Sequence, residues 1–224
     1  MIEALVLDFD GVIVDTEVPL FQAWTHTYET FGALPIGEAE WCASLGRNDR
    51  DPLALDPLAR LLEHLDGDVT ADAIQAVRRA ERDRLLAAVG PADGLDRLLE
   101  QAERSGVPVA IASSSPQDWL ERHLVPLGLH HRFAVLSCAG GDIPGKPDPA
   151  VYRIACNHLG VDPSRALAVE DSPHGVAAAK AAGMICIAVP TSLSVRLDLS
   201  HADGVVESLA DIDLRHPLGT STPP

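Results

Sequence analysis

Two aspartates stand two residues apart directly after an apolar run. Asp8 and Asp10 follow Ala4-Leu5-Val6-Leu7 and open the segment Asp8-Phe9-Asp10-Gly11-Val12-Ile13-Val14-Asp15-Thr16-Glu17. The apolar run reads as a buried strand, and residues i and i+2 of a strand point to the same side. Two like charges aimed into one small space repel and raise at least one pKa unless a cation lies between them. Such a pair is costly for a core and useful for chemistry. Three further polar clusters complement it: Ser113-Ser114-Ser115, Gly145-Lys146-Pro147-Asp148-Pro149 and Glu170-Asp171-Ser172. Asp8, Asp10, Glu170 and Asp171 are hard oxygen ligands, and several of them without a cysteine or histidine favour Mg²⁺. Ser113, with the main-chain N–H groups around it, can accept a phosphate at a helix N-terminus. Lys146 offers a point charge for phosphate oxygens, and it is one of two lysines in the chain, the other being Lys180.

Each cluster has a plainer reading when taken alone. Asp-x-Asp can be a loop or a non-catalytic cation site. The serines can cap the helix that follows. Lys146 can be a solvated loop residue, and Glu170-Asp171 a helix cap favoured by the dipole. Their positions along the chain argue for one site instead. Apolar runs at 2–7, 107–112, 133–138, 166–169, 185–189 and 204–206 read as strands. From residue 95 they alternate with helical spacing at 95–102, 119–124, 151–159 and 175–182. Continuous aliphatic strands alternating with helices imply a parallel sheet covered on both faces. Ligands bind such sheets outside the carboxyl ends of the strands, and all four clusters fall at such ends.

Residues 17–90 have another texture. Phe21, Trp24, Tyr28 and Phe31 recur at helical intervals, as do Leu58, Leu61, Leu62 and Leu65, then Ile74, Val77, Leu85 and Val89 more loosely. This stretch is expected to be a small helical bundle inserted into an α/β core made of 1–16 and 91–215, with 216–224 a mobile tail.

The chain has 224 residues and a formal charge of -16, from 33 acids against 17 bases. That balance argues against nucleic acid or an anionic membrane as the partner, but a local cation can still admit a small phosphorylated molecule. No apolar run reaches the ~18 residues of a membrane span, and Glu3 and Asp8 interrupt anything like a signal peptide. The cysteines at 42, 138, 156 and 186 form no CxxC, which suits reduced core thiols and a cytoplasmic protein.

The four motifs 8–17, 112–115, 145–149 and 170–184 resemble those of the haloacid dehalogenase-like hydrolases. The resemblance extends to about residue 210 and points to the branch holding β-phosphoglucomutase and small sugar-phosphate phosphatases. It implies a Rossmann-like core with a mobile α-helical cap. It also implies that Asp8 is a nucleophile forming an aspartyl-phosphate and that Asp10 is the general acid and base. Mg²⁺ is then expected on Asp8, the Asp10 main-chain carbonyl and Asp171, with Glu170 near or coordinating. Ser113 and Lys146 are expected to grip the phosphoryl oxygens. Phe9 and Ser114, and in the cap loop Gly46 and Arg47, are candidates for substrate contact. An acid at Asp10 favours phosphoryl transfer over dehalogenation. The lack of any lysine before Lys146 disfavours a Schiff-base reaction in the cap.

Phosphatase and phosphomutase are closer alternatives. Three positions where β-phosphoglucomutase has a histidine, an arginine and a lysine hold Leu20, Asp49 and Pro116 here, although Arg47 and Arg50 lie nearby. A Mg²⁺-dependent phosphatase of small phosphorylated metabolites is therefore the expected function. A phospho-accepting receiver module is the more remote alternative, since receivers also set acids, a hydroxyl and a lysine on a parallel sheet.

Overall fold

A computed structural model describes residues 1–44, 55–65, 67 and 69–218. Six strands form one sheet: β1 (Ala4–Leu7), β2 (Val109–Ser113), β3 (Val135–Cys138), β4 (Ala166–Glu170), β5 (Ile185–Ala188) and β6 (Gly204–Val205). Every pairing is parallel, in the order β3-β2-β1-β4-β5-β6. The chain steps outward from β1 to β3, then returns to the other side of β1 as β4. The crevice between β1 and β4 is thus the topological switch point, where sheets of this kind bind ligands.

Side-chain alternation sorts the sheet into two unlike faces. Leu5, Leu7, Ile111, Leu167, Val169 and Ile187 cover one face against α5 (Leu95–Arg104) and α6 (Gln117–Leu124). Ala4, Val6, Ala110, Ala112, Ala166, Ala168 and Ala188 cover the other. That small-residue face meets α7 (Ala150–Leu159) and α8 (Pro173–Ala182), which themselves present Ala155, Ala178, Ala179 and Ala182. Alanine on both surfaces lets these helices lie close to the strands, which brings their side chains within reach of the strand ends.

Between β1 and β2 the chain inserts α1 (Glu17–Thr30), α2 (Glu38–Ser44), α3 (Pro57–His64) and α4 (Ala71–Leu86). They gather their own apolar cluster, with Trp24, Tyr28, Ile36, Trp41, Leu61 and Ile74 buried and Leu193 reaching in from the α/β core. Asp56 and Thr70 cap α3 and α4, accepting from Ala59 N and Ala73 N, which satisfies helix-end donors. The two linkers pair with each other: Val14 bridges Pro91, and Ala92 N donates to Ile13 O at 2.9 Å.

β1 ends at Leu7, as expected, but begins at Ala4 rather than at residue 2. β2 begins at Val109, since Pro108 has no N–H for the ladder, and runs on to include Ser113. Among the described residues no helix is long and apolar enough to cross a membrane.

Candidate active site

Register sets the first two acids side by side. Leu7 pairs with Val169, and Asp8 N donates to Val169 O at 3.0 Å, so Asp8 stands next to Glu170 across the switch point. Both continue the alanine-lined face of the sheet. Lys146, on the segment between β3 and α7, reaches the same spot. Its Nζ donates to Asp8 Oδ1 at 2.6 Å and to Glu170 Oε1 at 2.5 Å. All three side chains are buried. The lysine's own main chain is held too, with Lys146 N donating to Ser114 Oγ at 3.1 Å.

Glu170 is closely packed with donors. Tyr152 on α7 donates its hydroxyl to Glu170 Oε1 at 2.6 Å, and Lys146 Nζ lies 5.0 Å from the centre of the Tyr152 ring. The other oxygen, Oε2, accepts from Asp171 N at 3.1 Å and Ser172 Oγ at 3.3 Å. Ser172 also caps α8 by accepting from Gly175 N. A side chain at Gly175 would collide with the Glu170 carboxylate, and one at Gly11, whose φ is +89°, with that of Asp171. The acids therefore need glycine at both places.

So much buried negative charge perturbs the acids. Burial first, then Glu170 and Asp10, push the Asp8 carboxyl up to about 8 against the opposing pull of Lys146. Burial, with Asp8, Glu170 and Glu17, holds Asp171 well above the usual carboxylate range. Glu17 is pushed up to about 8 by burial and by Asp10, Asp15 and Asp8. Burial works against the Lys146 ammonium, but Asp8 and Glu170 outweigh it and hold it charged.

These residues fit a divalent cation. Asp8, Glu170 and Asp171 each offer a carboxylate oxygen, all within 4.8 Å of one another, and all three are buried. One ammonium offsets only part of their charge. The donor set is oxygen alone, which suits a hard ion such as Mg²⁺. Glu170 already accepts from five donors, Ser172 N included, which leaves Asp8 and Asp171 as the carboxylates freer to coordinate.

Asp10 belongs to a separate set of partners. Its Oδ1 accepts from Thr16 Oγ1 at 2.6 Å and Trp119 Nε1 at 2.9 Å, and its Oδ2 from Ser115 Oγ at 2.6 Å. Thr16 lies at the start of α1, while Ser115 and Trp119 belong to the segment from β2 into α6.

The sequence reading needs several corrections. Phe9 follows Leu5 and Leu7 in alternation, so its ring is fully buried on the Leu-rich face and does not face the cleft. Ser113 caps no helix: Pro116 is the N-cap of α6, and Ser113 Oγ accepts from Ser115 N at 3.0 Å. The cap of α8 is Ser172 rather than Glu170 or Asp171. Lys146 is no solvated loop residue. Gly46 and Arg47, with the rest of the expected cap loop, lie outside the described residues. Sequence reasoning missed Tyr152, Thr16, Ser115 and Trp119 as members of the site. The sole signal in their favour was that Thr16 and Ser115 sit inside motifs already singled out.

Comparison with known proteins agrees with this geometry. The family model for haloacid dehalogenase-like hydrolases matches residues 2–183. YhcW of Bacillus subtilis is 32% identical over 96% of this chain and 95% of its own. Validoxylamine A 7'-phosphate phosphatase of Streptomyces hygroscopicus subsp. limoneus is 31% identical, covering 96% of this chain and 98% of its own. Among solved structures, CbbY from Rhodobacter sphaeroides in complex with xylulose-(1,5)bisphosphate superposes with a TM-score of 0.75. It is 27% identical and covers 95% of this chain and 96% of its own.

Proposed function

The chain belongs to the haloacid dehalogenase-like hydrolases and is a phosphoric monoester hydrolase, and from that premise we propose that it is a Mg²⁺-dependent phosphatase of small, sugar-like phosphate esters. The observation that carries the proposal is the buried Asp8–Lys146–Glu170 bridge beside Asp171 at the switch point. The names of similar proteins, which include a phosphorylated carbohydrates phosphatase from Thermotoga maritima, support the substrate class. The net charge of -16 opposes a nucleic acid or an anionic membrane as the partner. The four free thiols, three of them buried, suit a reducing compartment, and we place the enzyme in the cytoplasm.

In this mechanism an Asp8 carboxylate oxygen attacks phosphorus, and the bond from phosphorus to the ester oxygen breaks. Asp10 gives its proton to the departing alkoxide. The resulting carboxylate then takes a proton from the water that attacks the aspartyl-phosphate. The bond between phosphorus and Asp8 breaks, inorganic phosphate leaves and Asp8 is restored. Lys146 fixes the orientation of Asp8 through Oδ1 and presents positive charge to the phosphoryl oxygens. Asp8, Asp171 and the Asp10 main-chain carbonyl would hold Mg²⁺, which when bound offsets the repulsion between Asp8 and the phosphate dianion. Residues 1–16 and 91–215 form the hydrolytic core, and 17–90 act as a cap that selects the substrate.

The test is phosphate release from a sugar-phosphate panel with Mg²⁺, alongside β-glucose 1-phosphate with a bisphosphate activator. Free phosphate is expected, with turnover abolished in Asp8→Asn while the circular dichroism spectrum is unchanged. Accumulation of the isomeric sugar phosphate without free phosphate would establish a phosphomutase instead. Stable retention of label from acetyl phosphate would point to a receiver.

A further inference from the structure

Asp10 is held by donors of two kinds. A hydroxyl can turn to donate or to accept, whereas an indole N–H can only donate. Trp119 Nε1 points at Oδ1 from 2.9 Å and Thr16 Oγ1 donates to the same oxygen at 2.6 Å, so Oδ1 carries two donors, and toward the indole it must accept whatever the protonation state of the carboxyl group. Among the described residues Ser115 Oγ is the hydrogen-bond partner of Oδ2, at 2.6 Å. It donates when Asp10 is ionised and can rotate to accept when Oδ2 carries a proton.

We propose that Trp119 and Ser115 are positioning residues for Asp10: Trp119 locks Oδ1 as the acceptor, so the proton delivered to the leaving alkoxide resides on Oδ2, where Ser115 follows its departure. The inference rests on the role of Asp10 proposed above and adds the residues that orient it. In the step concerned, the bond from phosphorus to the ester oxygen breaks, the electron pair stays on that oxygen, and the Oδ2 proton moves onto it. Ser115 then swings back to donate to the new carboxylate.

The surroundings hold these groups in place. Ser115 N donates to Ser113 Oγ at 3.0 Å, which fixes the serine's main chain at the end of β2. The Trp119 ring packs on His123, with ring centres 4.3 Å apart, and His123 Nδ1 lies 2.8 Å from Trp119 O one helical turn away. Trp119 also borders a cavity of about 390 Å³ lined by Val14, Leu86, Val89 and Leu127. Exchanging the indole for a phenyl ring therefore widens an existing space.

The experiment compares kcat/KM for a sugar phosphate with kcat/KM for p-nitrophenyl phosphate, whose leaving group needs little proton donation. Asp10→Ala is the reference and is expected to lose far more on the sugar phosphate. If it loses equally on both, the acid role of Asp10 fails, separately from the present inference. Trp119→Phe and Ser115→Ala are each expected to lose ~10-fold on the sugar phosphate and less than ~2-fold on p-nitrophenyl phosphate, a fraction of the full general-acid contribution. Ser115→Thr, which keeps the hydroxyl, is expected to restore the sugar-phosphate rate. Equal losses on both substrates in Trp119→Phe and Ser115→Ala, or no rescue by threonine, would overturn the proposal. Should Trp119→Phe not fold, the two Ser115 variants decide it alone.

Discussion

The Lys146 ammonium lies 5.0 Å from the centre of the Tyr152 ring while the Tyr152 hydroxyl donates to the same Glu170 oxygen that Lys146 grips. Tyrosine thus serves both members of a buried ion pair, one through its face and the other through its edge. Tyr152→Phe keeps the face and removes the donor. Denaturant unfolding is expected to show a loss of about 1.5–3 kcal/mol, as for a hydrogen bond to a charged group. Activity should fall modestly, because Lys146 still holds Asp8. An unchanged midpoint would mean that Glu170 is already satisfied without the tyrosine.

Removing the ammonium is a harsher change. Lys146→Met leaves Asp8 and Glu170 buried without their cation, and breaking such a pair from one side costs about 3–5 kcal/mol. Activity should drop below ~1% of the parent, since the phosphoryl oxygens and the nucleophile lose the same positive group. Part of the stability loss should vanish as pH falls below about 8, where Asp8 of the folded protein takes up a proton. A cost independent of pH would contradict the pairing described here.

The raised acids also set the pH response of the metal-free protein. Asp8 moves from 3.8 to about 8 and Glu17 from 4.5 to about 8 on folding, and Asp171 moves in the same direction. The folded state therefore keeps protons that the unfolded state has released. The contribution of these three acids to stability is fullest below the ordinary carboxylate values and is lost as pH rises from there to about 8. Urea midpoints of chelator-treated protein should decline between pH 5 and pH 8. Added Mg²⁺ should raise the midpoint more at pH 8 than at pH 5, because it binds the ionised acids. A midpoint that climbs with pH in the absence of metal would refute the assignment.

How far the site was legible follows from residue type. Asp8, Glu170 and Asp171 stood out because charged groups directly beside apolar strands need a reason, and Lys146 because the chain has only two lysines. Tyr152 and Trp119 did not, because an aromatic on an amphipathic helix reads as core. Tyr152 is also core, and only the close approach of α7 to an alanine-lined sheet turns its hydroxyl onto Glu170. Phe9 went the other way. It sits between two functional aspartates, yet the alternation through Leu5 and Leu7 sends it inward. The alternating strands and helices and the helical insertion were readable from periodicity alone. The separate partners of Asp8 and Asp10 were not, since Lys146 for the one and Ser115 and Trp119 for the other come from segments more than a hundred residues away in the chain.

Glycine at 175 should be irreplaceable for a steric reason. A Cβ there would meet the Glu170 carboxylate, which five donors hold in place. Gly175→Ala in a helix ordinarily stabilises by about 1 kcal/mol, so the sign of the effect is diagnostic. Destabilisation with loss of activity is expected, read by thermal unfolding and phosphate release. A more stable, active variant would show that α8 can move away from Glu170 without cost.

Leu193 couples the helical insertion to the core. Its side chain joins the buried cluster of Trp24, Tyr28 and Trp41, and its carbonyl accepts from Cys42 Sγ at 3.1 Å. Nearby, Arg196 and Glu38 form an ion pair at 2.9 Å, with both side chains well exposed. The apolar contact should dominate, because exposed pairs contribute about 0–1 kcal/mol whereas truncating a buried leucine costs about 2–5 kcal/mol. Arg196→Ala should therefore behave like the parent. Leu193→Ala should free the insertion to swing, since Leu193 is a core residue seated in the insertion's own cluster. Limited proteolysis is then expected to cut the insertion faster, and KM should rise more than kcat falls if 17–90 close over the substrate. A uniform fall in kcat with unchanged KM and unchanged proteolysis would show that Leu193 only supports the fold.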